Sequence, residues 1–485
     1  MAENLTYKVI VCILFTLPLL FRVQEASEQS KYYRFGTKTA YHYDNATAST
    51  RKFSGGCRPV HLNMVLRNGS RYPSKGDIRD SSDLLTKLKK IHSSPVFRYK
   101  NVNISFNKPP EWEDAEPKEL SSAGEKEQYD IAKRFLSRFH DVFDKKYWNK
   151  YYKFVSSDRP RTARSAMSFA YGLFEDKGNV SSSNFQPVAI TFSGDKDNDK
   201  LLLPYDACPR YATDVVHQGL GEVEKFNEGP EIKNLTKRLE ERLQITGKLS
   251  LTFDFVEKIF RLCAFGFMNR RDTSWCSLLE EEDIKVLKYQ GDLQNYYEHS
   301  YGNKLSYEII CPLLSDITQN LRGFSTKETE YHGVFRFTSS GTVLSLLTML
   351  GLFQDTTRLR ADNYQQNDKR NFTSNLVPMS ANVAVVLYAC NSTETAVKLE
   401  DKLQVLVNEE PVALPCCDGK MTCSLDEFLS YLKETVDSCD FDEMCSLPLV
   451  PPTGSPTTAL AQITSPRLGS IFLLLLSFAA FFLKI

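Results

Sequence analysis

The sequence has no excess of charge of either sign, no internal repeat and no low-complexity region in its interior. Lysine plus arginine and aspartate plus glutamate each total 60, so no overall basic field is available to attract nucleic acid or an acidic membrane surface. Any anion site must therefore be local. With 485 residues, 42% of them hydrophobic, the chain is long enough for one domain of ~250 to 300 residues and a substantial second part.

Long apolar runs are confined to the two ends of the chain. Residues 1–27 carry Lys8, the apolar run from Val9 to Phe21 and small residues at Ala26 and Ser27, which predicts a cleaved secretory signal peptide. An uncleaved signal-anchor helix is the alternative, but the run is shorter than the ~20 residues that a bilayer span needs. We therefore expect an exported protein.

The C-terminal apolar block, residues 468–483, is followed by only two residues. A Ser/Thr/Pro-rich linker at 449–467 precedes it and contains a small-residue patch at 453–461. This order predicts a glycosylphosphatidylinositol signal at 468–485, with the anchor site in the linker. We expect a lipid-anchored protein on the extracellular side of the cell surface. A transmembrane helix, retention in the endoplasmic reticulum lumen and secretion are the alternatives.

Cysteines and glycosylation sequons agree with export. Cys12 lies in the signal, and eleven cysteines remain, which predicts disulfides and at least one free or intermolecular thiol. A cluster near the C-terminus lacks paired CxxC spacing, so we expect disulfides there and no metal; the cluster is Cys416, Cys417, Cys423, Cys439 and Cys445. Sequons begin at Asn45, Asn103, Asn179, Asn234, Asn371 and Asn391.

The pattern between residues 30 and 448 predicts an α/β domain with a mainly parallel sheet flanked by helices. Strand candidates lie at 61–66, 152–157, 333–338, 382–390 and 403–412. Apolar residues at helical spacing predict a helix at about 121–146, capped by Ser121 or Ser122, and a mainly helical insertion at about 205–325. The first three strands run into polar loops, and parallel sheets bind ligands beyond the carboxyl ends of their strands.

The first of these loops reads Arg67-Asn68-Gly69-Ser70-Arg71-Tyr72-Pro73. It resembles the R-H-G-x-R-x-P signature of the histidine acid phosphatases, with Asn68 in the histidine position. The segments 120–128, 161–167, 274–279 and 289–309 resemble further segments of that family. Residues 335–353 and 380–390 resemble its multiple inositol polyphosphate phosphatase branch, and the resemblance covers about 57–445.

The resemblance implies a role for each matching position. Arg67, Arg71 and Arg161 match the arginines that hold the phosphate oxygens, as guanidinium groups do through paired, charge-assisted hydrogen bonds. The family's histidine attacks phosphorus, and the delocalised amide of Asn68 lacks the lone pair that this attack needs. Ser339 and Gly341 stand where the family's H-A-E motif has its histidine and glutamate, so no general acid remains there.

Other residues could rescue or extend the site. His61 and His332 lie ~23 Å from the loops and are interpreted as ordinary strand-end histidines. Asp158 as a proton donor and Ser339 as a nucleophile are weaker alternatives. Lys75 either contacts a substrate phosphate or is a solvated surface lysine. Asn68 also begins a sequon, which we expect to stay unglycosylated in a packed loop.

The resemblance also implies disulfides between Cys263 and Cys276 and between Cys57 and Cys390. Taken together, these features predict a protein that binds inositol polyphosphates or other phosphate esters with lost or reduced hydrolysis, needs no cofactor or metal, and contacts the membrane only through its lipid anchor. A working acid phosphatase that uses other groups, and a structural or protein-interaction role, are the alternatives. The sequence does not identify a protein partner and predicts no nucleic acid as one.

Overall fold

The computed structural model describes residues 34–43, 56–109, 112, 116–195, 197–367, 370, 372–390 and 400–447. The predicted signal peptide, the linker and the anchor signal lie outside these residues, as do the sequons at Asn45, Asn371 and Asn391. Asn103, Asn179 and Asn234 are exposed. Within the described part, no helix combines the length and the apolar character needed to cross a bilayer.

The central sheet is built around β1 (Cys57–Arg67), whose side chains from His61 onward are buried on both faces. Its neighbours are β6 (Gly333–Thr338) on one side and β7 (Asn382–Cys390) on the other. The strand order is β10-β8-β7-β1-β6-β4-β5, with β9 paired to β8. The remaining strands are β4 (Tyr152–Ser156), β5 (Ile190–Phe192), β8 (Glu400–Val407), β9 (Glu410–Val412) and β10 (Cys423–Ser424), and β2 (Val96–Tyr99) and β3 (Val102–Ser105) form a separate hairpin.

The predicted α/β class is confirmed, and the sheet is mixed. Strands β1, β6, β4 and β5 run parallel, whereas β7 is antiparallel to β1 and β8 is antiparallel to β7. The strand expected at 403–412 is a hairpin, because Asn408 and Glu409 adopt positive φ and reverse the chain between β8 and β9. The carboxyl ends of β1, β6 and β4 therefore share one edge of the sheet.

Helices cover both faces of the sheet and form the predicted insertion. Their bounds are α1 (Lys75–His92), α2 (Ser122–Arg138), α3 (Pro160–Phe174), α4 (Gly221–Asn227), α5 (Pro230–Arg242), α6 (Phe253–Arg270), α7 (Glu281–His299), α8 (Leu305–Glu308), α9 (Cys311–Ser325), α10 (Ser340–Met349), α11 (Tyr364–Asn367), α12 (Phe372–Leu376), α13 (Leu425–Asp437) and α14 (Phe441–Cys445). A short helical segment, 209–217, leads into the insertion. The predicted helix at 121–146 is α2, capped by Ser121, followed by a 3₁₀ turn at His140–Phe143.

Alternating residues of β1 feed two cores. Leu62, Met64 and Leu66 pack with α2 and α3, whereas Val65 packs on the other face with α9 and α10. A third core joins α1, the β2–β3 hairpin and the helices α5 to α7. Because both faces of the sheet are buried, the sequences of these strands are nearly continuous apolar runs.

Five disulfides tie the described residues together. Both pairs implied by the resemblance are present, Cys57–Cys390 and Cys263–Cys276, and the others are Cys208–Cys445, Cys311–Cys439 and Cys417–Cys423. Cys416 stays a free thiol beside the last pair. The sulfur atoms of Cys416, Cys417 and Cys423 cluster, but two of them are bonded to each other and are not available as metal ligands.

Candidate active site

The arginine loop follows β1 at the shared sheet edge and is held by the start of α2. The backbone N–H of Asn68 donates to the carbonyl of Thr338 at 3.0 Å, which ties the loop to the end of β6. Glu127 accepts from the Ser70 amide at 2.9 Å and from its hydroxyl at 2.6 Å. Gly69 and Gly124 face each other so closely that a Cβ on Gly69 would lie 2.4 Å from the Gly124 carbonyl oxygen. These contacts define the conformation of the loop.

Arg67 is buried and held at one end only. Its Nη1 donates to the carbonyls of Thr37 at 2.7 Å and Val377 at 2.5 Å. Its Nε is buried without a hydrogen-bond partner among the described residues. Burial, followed by repulsion from Arg71, lowers the pKa of Arg67 to about 9. A buried guanidinium with an unused donor is suited to bind an anion.

Arg71 and Arg161 complete a cluster of three cations. Arg71 donates from Nη1 to the Tyr72 carbonyl at 2.8 Å and lies over the Phe265 ring of α6, 5.7 Å from its centroid. Burial and the charge of Arg161 lower the pKa of Arg71 to about 10, and burial also lowers the pKa of Arg161. Within the described part of the chain, none of the three is ion-paired with a carboxylate. Carboxylates act on the cluster only from beyond ion-pair distance, Glu127 on Arg67, Asp77 on Arg71 and Asp206 on Arg161.

Asn68 lies between these arginines in sequence and is buried. Its Nδ2 donates to the Gly69 carbonyl at 2.9 Å. Ser70, the third residue of the sequon, is also buried, and its hydroxyl is bonded to Glu127. This packing leaves no room for a glycan and supports the expectation that the sequon stays unmodified.

Ser339 and Gly341, the acid-motif positions, contact side chains that sequence reasoning missed. Ser339 follows β6, and its hydroxyl is hydrogen-bonded to the hydroxyl of Tyr205. Gly341 is covered by the imidazole of His299, since a Cβ at 341 would lie 2.7 to 3.0 Å from three ring atoms. Burial lowers the pKa of His299 to about 4 and raises that of Tyr205 to about 12. Two side chains from outside the motif thus fill its surroundings.

The other candidates lie where the sequence placed them. His61 is near the start of β1, where its Nδ1 bonds the Tyr331 carbonyl at 2.5 Å, and His332 directly precedes β6. Burial lowers the pKa of both histidines. Asp158 is exposed beyond β4, and Lys75 is exposed at the first position of α1. No hydrogen bond within the described residues joins Asp158 to the three arginines.

Further cations surround the cluster. Lys38 lies near Arg71 and Arg261, and burial lowers its pKa to about 8. Lys118 has a pKa lowered by burial and by Arg161 and Arg71. Neither residue belongs to the motifs that the sequence revealed, because each reaches the site from a separate loop. The two lysines add positive charge near the three predicted arginines, and Asp77, which acts on both lysines, offsets part of it.

Comparisons with known proteins agree with this architecture. The sequence model described as "Histidine phosphatase superfamily (branch 2)" matches residues 60–407. The chain belongs to this superfamily.

Relatives in this superfamily match most of the chain. The chain is 29% identical over 454 residues to multiple inositol polyphosphate phosphatase 1 of Gallus gallus, covering 90% of this chain and 96% of the relative. It is 28% identical over 459 residues to the Homo sapiens protein of that name, covering 87% and 90%. Among solved structures, the phytase from D. castellii matches with a TM-score of 0.69 at 19% identity, covering 86% of this chain and 87% of that chain.

Within this superfamily, the chain keeps arginines at the predicted phosphate positions and has Asn68, Ser339 and Gly341 at the predicted reactive positions. The arginines can bind a phosphoryl group and stabilise negative charge on its oxygens. Asn68 supplies no nucleophile, and Ser339 is bonded to a neutral tyrosine hydroxyl instead of a base.

Proposed function

We propose that this protein binds phosphate esters of the inositol polyphosphate class and hydrolyses them poorly or not at all. The observation that carries the proposal is the cluster of Arg67, Arg71 and Arg161, in which no guanidinium is ion-paired with a carboxylate of the described residues, beside an asparagine at the nucleophile position. A dianionic phosphoryl group would pair directly with these guanidinium groups. Lys38 and Lys118 would add attraction for a ligand that carries several phosphates.

The relatives support this ligand class. The Gallus gallus and Homo sapiens relatives are named multiple inositol polyphosphate phosphatases. A Bifidobacterium longum protein of that name was solved in complex with inositol hexasulfate and has the same fold, with a TM-score of 0.63 over 84% of this chain. For the present chain we propose the same class of ligand but not the reaction, because the residues of this chain at the two reactive motifs differ.

The loss of hydrolysis follows from two positions. Phosphoryl transfer through a covalent intermediate requires an attacking lone pair, and cleavage of an alkyl ester requires a proton for the leaving oxygen. Asn68 provides no lone pair for attack, and Ser339 and Gly341 provide no acid. Losses of this kind cost on the order of 10⁴ or more in turnover and do not simply add.

Calorimetry with inositol hexakisphosphate tests binding. We expect saturable binding by the wild-type protein and binding at least tenfold weaker in Arg161→Ala, which removes one charged arm of the cluster. Arg164→Ala is the matched control, because Arg164 lies one turn further along α3 and is paired with Glu119 and Glu125. Absence of wild-type binding, or equal loss in both variants, would argue against the site.

We also propose that the protein is displayed on the extracellular surface through a lipid anchor. The support is the order of small residues, linker and apolar terminus in the sequence. Phospholipase C specific for glycosylphosphatidylinositol should release the protein from intact cells. Protein that stays cell-bound and retains residues 468–485 by mass spectrometry would show a transmembrane helix instead.

A further inference from the structure

We propose that Tyr205, through its hydroxyl paired with Ser339, is a ligand-contacting residue of the phosphate site. The inference rests on the proposed function and adds to it a contact that lies outside every motif of the sequence analysis. Tyr205 comes from the segment between β5 and the helical insertion. Its role follows from strand order, from the way its segment is held and from hydrogen-bond chemistry.

Strand order places Ser339 between the arginines. Strand β6 lies between β1 and β4, so the residue after β6 has the Arg67 loop on one side and the Arg161 loop on the other. The backbone confirms this position, since the Asn68 amide and the Ser157 amide each donate to β6 carbonyls at 3.0 Å. The hydroxyl of Tyr205 is near enough to Arg67 and Arg161 to influence the pKa of both guanidinium groups. It therefore lies beside the arginine cluster.

The segment that carries Tyr205 is held at several points. The hydroxyls of Thr338 and Thr342 both donate to the Leu202 carbonyl. Asp199 accepts from the Leu202 amide at 2.8 Å and from the Ser193 hydroxyl at 2.6 Å.

The far end of the same segment is fixed as well. Asp206 pairs with Arg159 at 2.8 Å, and Cys208 is bonded to Cys445. A side chain fixed on both sides in sequence loses little conformational freedom when a ligand binds. Tyr205 is therefore preorganised.

His299 positions the ring of Tyr205. The imidazole covers Gly341 and its centroid lies 5.3 Å from that of Tyr205. On its other side it stacks on Tyr211, with centroids 6.2 Å apart. His299 is thus a positioning residue in the place that a longer side chain at 341 would occupy.

Hydrogen-bond chemistry explains what the pair offers to a ligand. Two hydroxyls carry two hydrogens, and their mutual bond uses one of them. The Thr342 hydroxyl also neighbours that of Tyr205, but it donates its own hydrogen to the Leu202 carbonyl. When Tyr205 donates to Ser339, the Ser339 hydrogen is available to an oxygen of a phosphoryl group that the arginines hold, and neither hydroxyl titrates near neutral pH. The pair supplies one neutral donor among cations.

Calorimetry on Tyr205→Phe tests the inference, with inorganic phosphate and inositol hexakisphosphate as separate probes. We expect both to bind about five- to tenfold more weakly, because the lost donor contacts the phosphoryl group common to both. Ser339→Ala should show a similar loss, and the double variant should lose no more than the larger single loss, since the two hydroxyls act as one unit. The midpoint of thermal unfolding without ligand should stay within about 2 °C of wild type.

Tyr301→Phe is the matched control, because its hydroxyl donates to the Leu352 carbonyl at 2.8 Å instead of pairing with Ser339. It should bind both probes within twofold of wild type. If Tyr205→Phe binds both probes as tightly as the wild-type protein does, or binds only one of them more weakly, the inference is overturned and the proposed function stands. Absence of wild-type binding to both probes would overturn the two together.

Discussion

Arg67 and Arg161 belong to the same cluster but are held differently. Arg67 donates to the carbonyls of Thr37 and Val377, so it bridges two chain segments. Arg161 makes no side-chain hydrogen bond to any described residue, and burial lowers its pKa. Burying its charge therefore opposes folding, and only the charge of Asp206, which it does not contact, offsets part of this cost.

Replacing each of these two arginines with alanine should distinguish its effect on stability from its effect on ligand binding. Both Arg67→Ala and Arg161→Ala should lose ligand-induced thermal stabilisation. Without ligand, Arg67→Ala should be destabilised by about 2 to 4 kcal/mol, because buried carbonyls lose their donors, whereas Arg161→Ala should be unchanged or slightly more stable. Urea unfolding of the ligand-free proteins measures both values, and an equal loss of stability in the two variants would contradict this assignment.

Restoring the reactive residues tests the packing around Gly341. Any side chain at this position meets the His299 ring, so Gly341→Glu alone should be destabilising, as overpacking a core is. Asn68→His, Ser339→His and Gly341→Glu together should recover little phosphatase activity. Adding His299→Ala should relieve the overlap and raise activity further, as measured by phosphate release at acidic pH. Full recovery in the triple variant would show that His299 moves aside freely.

Site residues that are close together in the sequence could be predicted, and site residues that are far apart in the sequence could not. Arg67, Asn68 and Arg71 form a contiguous motif, so the sequence revealed them. Tyr205 and His299 reach Ser339 and Gly341 only through tertiary packing. Tyr205 lies in no motif, and the segment 289–309 that contains His299 gave no sign of this contact. The histidines nearest in sequence to the two motifs are His61 and His332, whereas the histidine that contacts Gly341 is His299.

Among secondary-structure elements, the start of α2 determines the shape of the arginine loop. A Cβ on Gly124 would lie 2.1 Å from the Ser70 carbonyl oxygen, which is backbone and cannot move aside alone. Ser121 donates its hydroxyl to the same carbonyl at 3.0 Å. The segment resembling the family's second motif is therefore a support for the first motif.

Gly124→Ala tests whether the start of α2 holds the arginine loop in its conformation. We expect a loss of more than about 3 kcal/mol of stability and weaker binding of inositol hexakisphosphate, because backbone must shift at the site. Gly291→Ala is the control, since Gly291 lies within α7 with no atom near its Cβ position, and alanine should stabilise that helix by up to about 1 kcal/mol. Chemical denaturation of both variants measures these changes in stability. A Gly124→Ala protein as stable as the wild type would show that the close contact between Gly124 and Ser70 is dispensable.

Element bounds were predictable where both sheet faces are buried. Strands β6 and β7 have the limits that their apolar runs predicted, 333–338 and 382–390. The direction of β7 was not predictable, since an apolar run does not encode its neighbours. The hairpin between β8 and β9 was missed because Asn408 and Glu409 form a turn without glycine or proline.

For the molecule as a whole, buried histidines couple stability to pH. Burial lowers the pKa of His61 and of His299 to about 4, below the ordinary value of 6.5. The unfolded chain therefore binds more protons than the folded protein between these values, and each histidine stabilises the fold above pH 6.5. This contribution is lost as pH falls from 6.5 towards 4. Glu127 and Glu298, whose pKa values burial raises, act in the opposite direction.

A difference measurement isolates the histidine contribution. The free energy of unfolding of wild type minus that of His299→Gln should fall by about 3 kcal/mol between pH 6.5 and pH 4, at 1.36 kcal/mol per unit of pKa shift. His140→Gln is the control, because His140 is exposed in a 3₁₀ turn. A difference that does not change with pH would show that His299 is not held neutral.

The central claim, binding without hydrolysis, is tested most directly by phosphate release from inositol hexakisphosphate under conditions where binding is saturated. The purified protein and an intact relative, such as the Gallus gallus phosphatase that is 29% identical, are assayed side by side across acidic and neutral pH. We expect turnover at least ~10⁴-fold below that of the relative, and no acid-labile phosphoenzyme after rapid quenching. Turnover at the relative's rate, or a trapped phosphoenzyme, would contradict it.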